Sequence, residues 1–156
     1  MTDEKMTYLS QEKFDSLTKE LADIKNEVIP AIAKKIDMAK QMGDLSENAE
    51  YHAAREEMAW AQSRAKEINH ILDNSEIVSK EKKSSDFVSI GSKIEVKING
   101  QVREYTIVGA QEADPLARKI SNESPLGEAF MGKKKGDKVD VHVPSGIQTY
   151  TIISIN

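Results

Sequence analysis

The chain has 156 residues, of which 38% are hydrophobic, 5% aromatic and 31% charged, with a formal net charge of −4 and no cysteine. That size suits one ordinary domain or two small ones, and few aromatics with many charges suit long solvated helices better than one large core. Disulfides, thiolate metal sites and cysteine nucleophiles are excluded, and a stand-alone nucleic-acid binder held by phosphate neutralisation is disfavoured.

The start, MTDEKMTYLS, has no basic segment followed by an apolar stretch, and no run approaches the length of a membrane span. A cytoplasmic protein without a membrane partner is expected. Residues 1–83 carry 13 Lys/Arg against 17 Asp/Glu, whereas residues 84–156 carry 9 of each. The acidity belongs to the N-terminal half.

From Phe14 the apolar positions run Phe14, Leu17, Leu21, Ile24, Val28, Ile32, Ile36 and Ala39, mostly at spacings of three and four. This is the seam of an amphipathic helix packed along another helix. Ser10 is a candidate N-cap and Gly43 a natural stop, while Pro30 removes an internal hydrogen bond and predicts a local kink. A second seam follows at Tyr51, Ala54, Met58, Ala61, Ala65, Ile68 and Leu72. Two long helices joined by a short turn must run antiparallel, so residues 1–78 are expected to form an antiparallel α-helical coiled-coil hairpin. The stretch from Ser10 to Met42 would extend ~50 Å at ~1.5 Å per residue.

Between the seams lies GDLSENAEY, residues 43–51, with Asp44, Glu47 and Glu50 close together. One reading is structural: Asp44 and Glu47 resemble a capping box, and acids in a first helical turn complement the macrodipole. The other is chemical. Exposed carboxylates stay ionised near neutral pH and can ligate a hard divalent cation such as Mg²⁺, whose octahedral oxygen shell must then be completed by water, phosphate or another protein. Asp44 and Glu47 would be half of a metal site, held at the end of a long hairpin.

Lys34, Lys35, Lys40, Arg55 and Arg64 lie near this turn, either as an ordinary solvated face or as a stripe for RNA phosphates. His52, His70 and His142 do not cluster at metal-ligand spacing, and Ser46 has no evident base. Phosphate-loop and nucleophile-elbow motifs are missing, which argues against a self-sufficient enzyme.

Residues 79–90 read as a linker. After them, alternating runs at 92–98 and 101–109 flank Asn99-Gly100, and a second pair at 137–144 and 147–155 flanks Ser145-Gly146. Both read as β-hairpins. SPLGEAFMG, residues 124–132, offers a Ser cap, a Pro at the first helical position and a closing Gly, predicting a short helix. Residues 91–156 are therefore expected to form a small α+β domain, an antiparallel sheet with one helix against it. Lys133–Lys135 reads as a loop.

GDLSENAEYHAAREE (43–57), together with ADPLARKISNESPLGEAFMGKKKGD (113–137), resembles the bacterial transcript cleavage factors of the Gre family, and within it the GreA branch. The resemblance implies a C-terminal domain of FKBP-like fold that docks on the rim of the RNA polymerase secondary channel, while the coiled coil enters that channel. It implies that Asp44 and Glu47 are the catalytic acids contributed to the polymerase, helping to hold a shared Mg²⁺ that is not bound tightly by the factor alone. The backtracked 3′ end of the nascent RNA is then cleaved and the arrested complex released. By the same resemblance Ser46, Asn48 and Tyr51 are tip-positioning residues, Arg55 contacts RNA, and Glu123, Ser124 and Pro125 belong to the polymerase-docking loop. A monomer is expected. Two alternatives are a Gre-like regulator that plugs the channel and inhibits without stimulating cleavage, and a peptidyl-prolyl isomerase. The latter is poorly supported by a second half whose aromatics are Phe87, Tyr105, Phe130 and Tyr150.

Overall fold

Pro30 divides the first helical stretch in the computed structural model of the chain, which describes residues 5–43, 46–79 and 86–156. Helix α1 spans Gln11–Asp23, a wide five-residue turn spans Ile24–Val28, and α2 spans Ile29–Lys40. A proline has no N–H to continue the ladder, so the helix widens ahead of it: the Ile29 N–H donates to the Ile24 carbonyl, and Pro30 falls in the first turn of α2. The extra residue in the wide turn moves Val28 off the seam, leaving it 36% exposed, while Leu17, Ile24, Ile32 and Ala39 are buried.

Helix α3, Ala49–Asp73, buries Ala54, Ala61, Ala65, Ile68 and Ile71. Ile71 takes the last seam position expected for Leu72. Hydrogen bonds link Ala39 to Asn48, Lys35 to Glu57 and Glu20 to Arg64, so rising numbers on α3 meet falling numbers on α1 and α2. The two helical stretches thus run in opposite directions. Arg64 grips Glu20 through Nε at 2.7 Å and Nη2 at 3.1 Å, and Glu67 through Nη1 at 2.9 Å. Hydrogen bonds to Glu20 first, then to Glu67, hold its guanidinium protonated still more firmly than usual.

The contacts divide the chain into Phe14–Asn74 and, as a second unit, Met1–Lys13 with Ser75–Asn156. This differs from the boundary expected at residue 78. Strand β1, Thr7–Leu9, pairs in parallel with β2, Ser75–Ile77, and so joins the sheet-containing unit. A Cβ on Gly109 would lie 1.8 Å from the Tyr8 carbonyl oxygen, so only glycine permits this close approach. The Glu112 carboxylate accepts from both the Ser10 N–H, at 2.9 Å, and the Ser10 hydroxyl. Ser10 Oγ in turn accepts the Lys13 N–H at 3.1 Å and caps α1.

Of the expected linker 79–90, residues 80–85 lie outside the described residues. Val88 is not linker but core, 2% exposed, with its N–H on the Lys133 carbonyl. The main sheet contains β3 (Lys93–Ile98), β4 (Gln101–Val108), β5 (Lys119–Ser121), β6 (Lys138–Val143) and β7 (Gly146–Ile155), in the order β5-β4-β3-β7-β6. Asn99 and Gly100 both have positive φ, 51° and 78°, and form the tight turn between β3 and β4. In the second hairpin Val143 pairs with Gly146, placing Pro144-Ser145 in the loop, one residue earlier than expected.

The sheet is not wholly antiparallel. β5 runs parallel to β4, reached by a connection that contains a single 3₁₀ turn at Ala110–Glu112. Three residues of mixed character carry too little alternation to announce such a strand. Helix α4, Pro125–Phe130, plants the fully buried Phe130 in the core, edge-on to Tyr150 at 5.5 Å and near Tyr105 at 6.4 Å. Burial pushes the Tyr150 phenol pKa up, with Tyr105 adding to the effect and Arg103 opposing it. Among the described residues no helix is long and apolar enough to cross a membrane.

Candidate functional site

The turn between α2 and α3 begins where the helical ladder runs out of donors: the Gln41 N–H reaches the Met38 carbonyl at 3.3 Å and the Met42 N–H reaches Ala39 at 3.1 Å. Gly43 follows with φ of 142°. Asp44 lies outside the described residues. The N-cap of α3 is Asn48: its Oδ1 accepts the Tyr51 N–H at 3.0 Å, while its Nδ2 donates to the Ala39 carbonyl at 2.6 Å. One amide side chain thus starts one helix and satisfies the end of the other.

With Asn48 as the cap, Glu47 stands before the helix and cannot be the third residue of a capping box. Its side chain is exposed, and its carboxylate has no hydrogen bond or ion pair among the described residues. The structural reading therefore fails for Glu47 and holds for Glu50, which lies in the first turn of α3. Ser46 is exposed beside it.

Tyr51 is half-buried, and Arg55, one turn later, donates from Nη1 to the Tyr51 hydroxyl oxygen at 3.1 Å with its guanidinium carbon 5.9 Å from the ring centre. Among the described residues the other Arg55 donors have no hydrogen-bond partner and can meet an incoming group. Ile36, Lys40, Tyr51, Arg55, Met58, Ala59 and Gln62 line a cleft of about 330 Å³. Of the five basic residues considered for a stripe, Lys35 pairs with Glu57 at 2.9 Å and Arg64 is held by Glu20 and Glu67. Lys40 and Arg55 share the cleft with Tyr51. Two cations around an aromatic ring suit a phosphate and an unstacked base. Sequence alone put Lys35 and Lys40 in the same stripe; the structure separates them, with Lys35 paired to Glu57 and Lys40 lining the cleft.

A second candidate turn lies in the sheet-containing unit. Ser121 Oγ accepts the Glu123 N–H at 3.0 Å, and the Ser121 carbonyl accepts the Ser124 hydroxyl at 2.7 Å. Ser124 Oγ accepts the Gly127 N–H at 3.1 Å and caps α4, with Pro125 at its first turn. Gly127 is buried, and a Cβ there would lie 1.9 Å from the Ser121 carbonyl oxygen. Glu123 faces outward, 3.4 Å from Lys5 Nζ, and Pro125 is exposed.

Among the described residues no three His, Asp or Glu side chains converge to hold an ion. Lys133–Lys135 is exposed, with Lys134 Nζ 4.8 Å from the Phe87 ring centre.

Family models for the two parts of GreA/GreB transcription elongation factors match the chain, the N-terminal one over residues 7–77 and the C-terminal one over residues 82–156. The transcription elongation factor GreA of Thermotoga maritima is 41% identical over 153 residues, covering 97% of each chain. That of Leuconostoc mesenteroides subsp. mesenteroides is 42% identical over 149 residues, 94% of this chain and 93% of the relative. Among solved structures, the GreA factor homolog 1 of Thermus thermophilus is 23% identical and aligns over 97% of this chain and 99% of its own. Its TM-score of 0.45 is too low to bear on the assignment.

Proposed function

The chain belongs to the GreA/GreB family of transcription elongation factors, and from that premise we propose how its two candidate turns act on bacterial RNA polymerase. It is a transcription elongation factor and not itself a catalyst. In the proposed mechanism the helical unit is an antiparallel coiled-coil hairpin that enters the secondary channel. The sheet-containing domain, of FKBP-like fold, docks at the channel rim through Glu123, Ser124 and Pro125. The factor works as a monomer in the cytoplasm and stimulates the polymerase's cleavage of backtracked RNA.

The observation that carries this reading is the position of Glu47, placed ahead of the Asn48 cap with its carboxylate exposed. A hard oxygen donor of this kind fits Mg²⁺, and Asp44 with Glu47 would hold the ion jointly with the polymerase. The ion, when bound, supplies charge stabilisation and an activated water for in-line hydrolysis of a phosphodiester. Asn48 keeps the turn closed by bridging α2 and α3, so that Glu47 is carried on a defined backbone. Ser46 lies between the two acids and helps position them. Tyr51 and Arg55, with Lys40, receive the extruded RNA end in their shared cleft.

The test compares wild type with the Asp44→Asn/Glu47→Gln pair on a backtracked elongation complex in Mg²⁺. Loss of RNA shortening with polymerase binding retained is expected. Cleavage at the wild-type rate would overturn the assignment. GreA relatives at about 40% identity do not favour the inhibitory alternative.

A further inference from the structure

We propose that Met38 and Met42 form a methionine oxidation site beside the acidic turn, where a hydroperoxide converts the factor to a less active, reducible form. The chain has six methionines and no cysteine, so its thioethers are the sulfur groups an oxidant can reach. Met38 and Met42 are 63% and 67% exposed, against 47% for Met6 near the N-terminus, whereas Met58 and Met131 are half-buried. Standing four residues apart at the end of α2 and in the turn that follows, they line one cleft of about 310 Å³ with Ala39, Ala53 and Ala54. Lys35, Glu50 and Glu57 complete its lining. Neither thioether is buried in the helix seam, so their oxidation leaves the seam intact.

The step balances without any further reactant. A sulfur lone pair attacks one peroxide oxygen, the S–O bond forms as the O–O bond breaks, and the departing oxygen takes a proton to leave as water or an alcohol. Sulfur is oxidised by two electrons and the peroxide reduced by two. The product sulfoxide turns a flexible apolar side chain into a polar, chiral one, a change that disrupts methionine-lined contacts and is reversed by methionine sulfoxide reductases. The functional consequence rests on the insertion of this end of the helix pair into the polymerase, where the apolar cleft would face the partner.

The experiment treats the full chain with hydrogen peroxide and follows each methionine by peptide mass mapping, alongside far-UV circular dichroism and transcript cleavage. Met38 and Met42 are expected to gain one oxygen several-fold faster than Met58 and Met131, with the helical signal unchanged. Stimulated cleavage should fall in step, return after reductase treatment, and resist peroxide in the Met38→Leu/Met42→Leu variant but not in Met6→Leu. Oxidation of Met38 and Met42 no faster than that of the half-buried pair would overturn the site. Full activity with both sulfoxides formed would overturn its consequence. If untreated protein fails to stimulate cleavage, the proposed mechanism falls while the mass map still decides the oxidation site.

Discussion

The two candidate turns solve the same problem in opposite ways. Between α2 and α3, support and function fall on different residues: Asn48 holds the backbone, and Glu47 is left exposed with its carboxylate outside the cap. In the turn at 121–125 they coincide. Ser124 is a docking candidate and also the cap of α4, and Gly127 lies so close to the Ser121 carbonyl that the whole turn is set by backbone contact. A residue exposed to a partner but unused by the fold can be altered with little effect on stability. One that also caps a helix cannot.

The comparison breaks most readily at Gly127→Ala. Its Cβ would meet backbone rather than a side chain that can turn away, so a loss of about 3 kcal/mol or more is expected, at the upper end of overpacking costs. Urea unfolding monitored by Tyr fluorescence, paired with a polymerase-binding assay, should show stability and docking lost together. Unchanged stability would mean that the turn is free to relax.

Asn48→Ala comes next. It removes the acceptor for the Tyr51 N–H and the donor to the Ala39 carbonyl, an expected cost of about 1–2 kcal/mol. Asn48→Asp sharpens this, since it keeps the acceptor but sets a carboxylate oxygen against the Ala39 carbonyl; thermal unfolding by circular dichroism should find it less stable than wild type. The smallest effect on stability belongs to Glu47→Gln, expected within about 0.5 kcal/mol of wild type, while cleavage stimulation falls. A destabilisation equal to that of Asn48→Ala would place Glu47 in the support after all.

Much of the fold was legible because it rests on local rules. The 3,4 spacing of the two seams announced the helices, and Asn99-Gly100 announced the first hairpin through the positive φ both residues adopt. Pro125 after Ser124 announced α4. What escaped the sequence depends on partners far away in the chain. β1 and β2 are three residues each and pair with one another 68 positions apart, at Thr7 and Ser75, with β1 also held against Gly109. β5 exists only because β4 offers it an edge. In the candidate site, residue type and motif singled out Glu47 and Arg55, which stand exposed in the structure, and Asp44, which lies outside the described residues. The separation of Glu47 from the cap could not, since Asp44, Ser46 and Asn48 are all good N-cap residues by type.

The sequence by itself determined the helical N-terminal half, the sheet-rich C-terminal half, the acidic turn and the family resemblance, because periodicity, turn chemistry and motif spacing act over a few residues. Only the tertiary structure decided which polar residue caps α3, which lysines are spent in ion pairs, and that the first strand joins the second unit. Each of those outcomes turns on hydrogen bonds and close approaches between residues distant in the chain, and local preference carries no record of them.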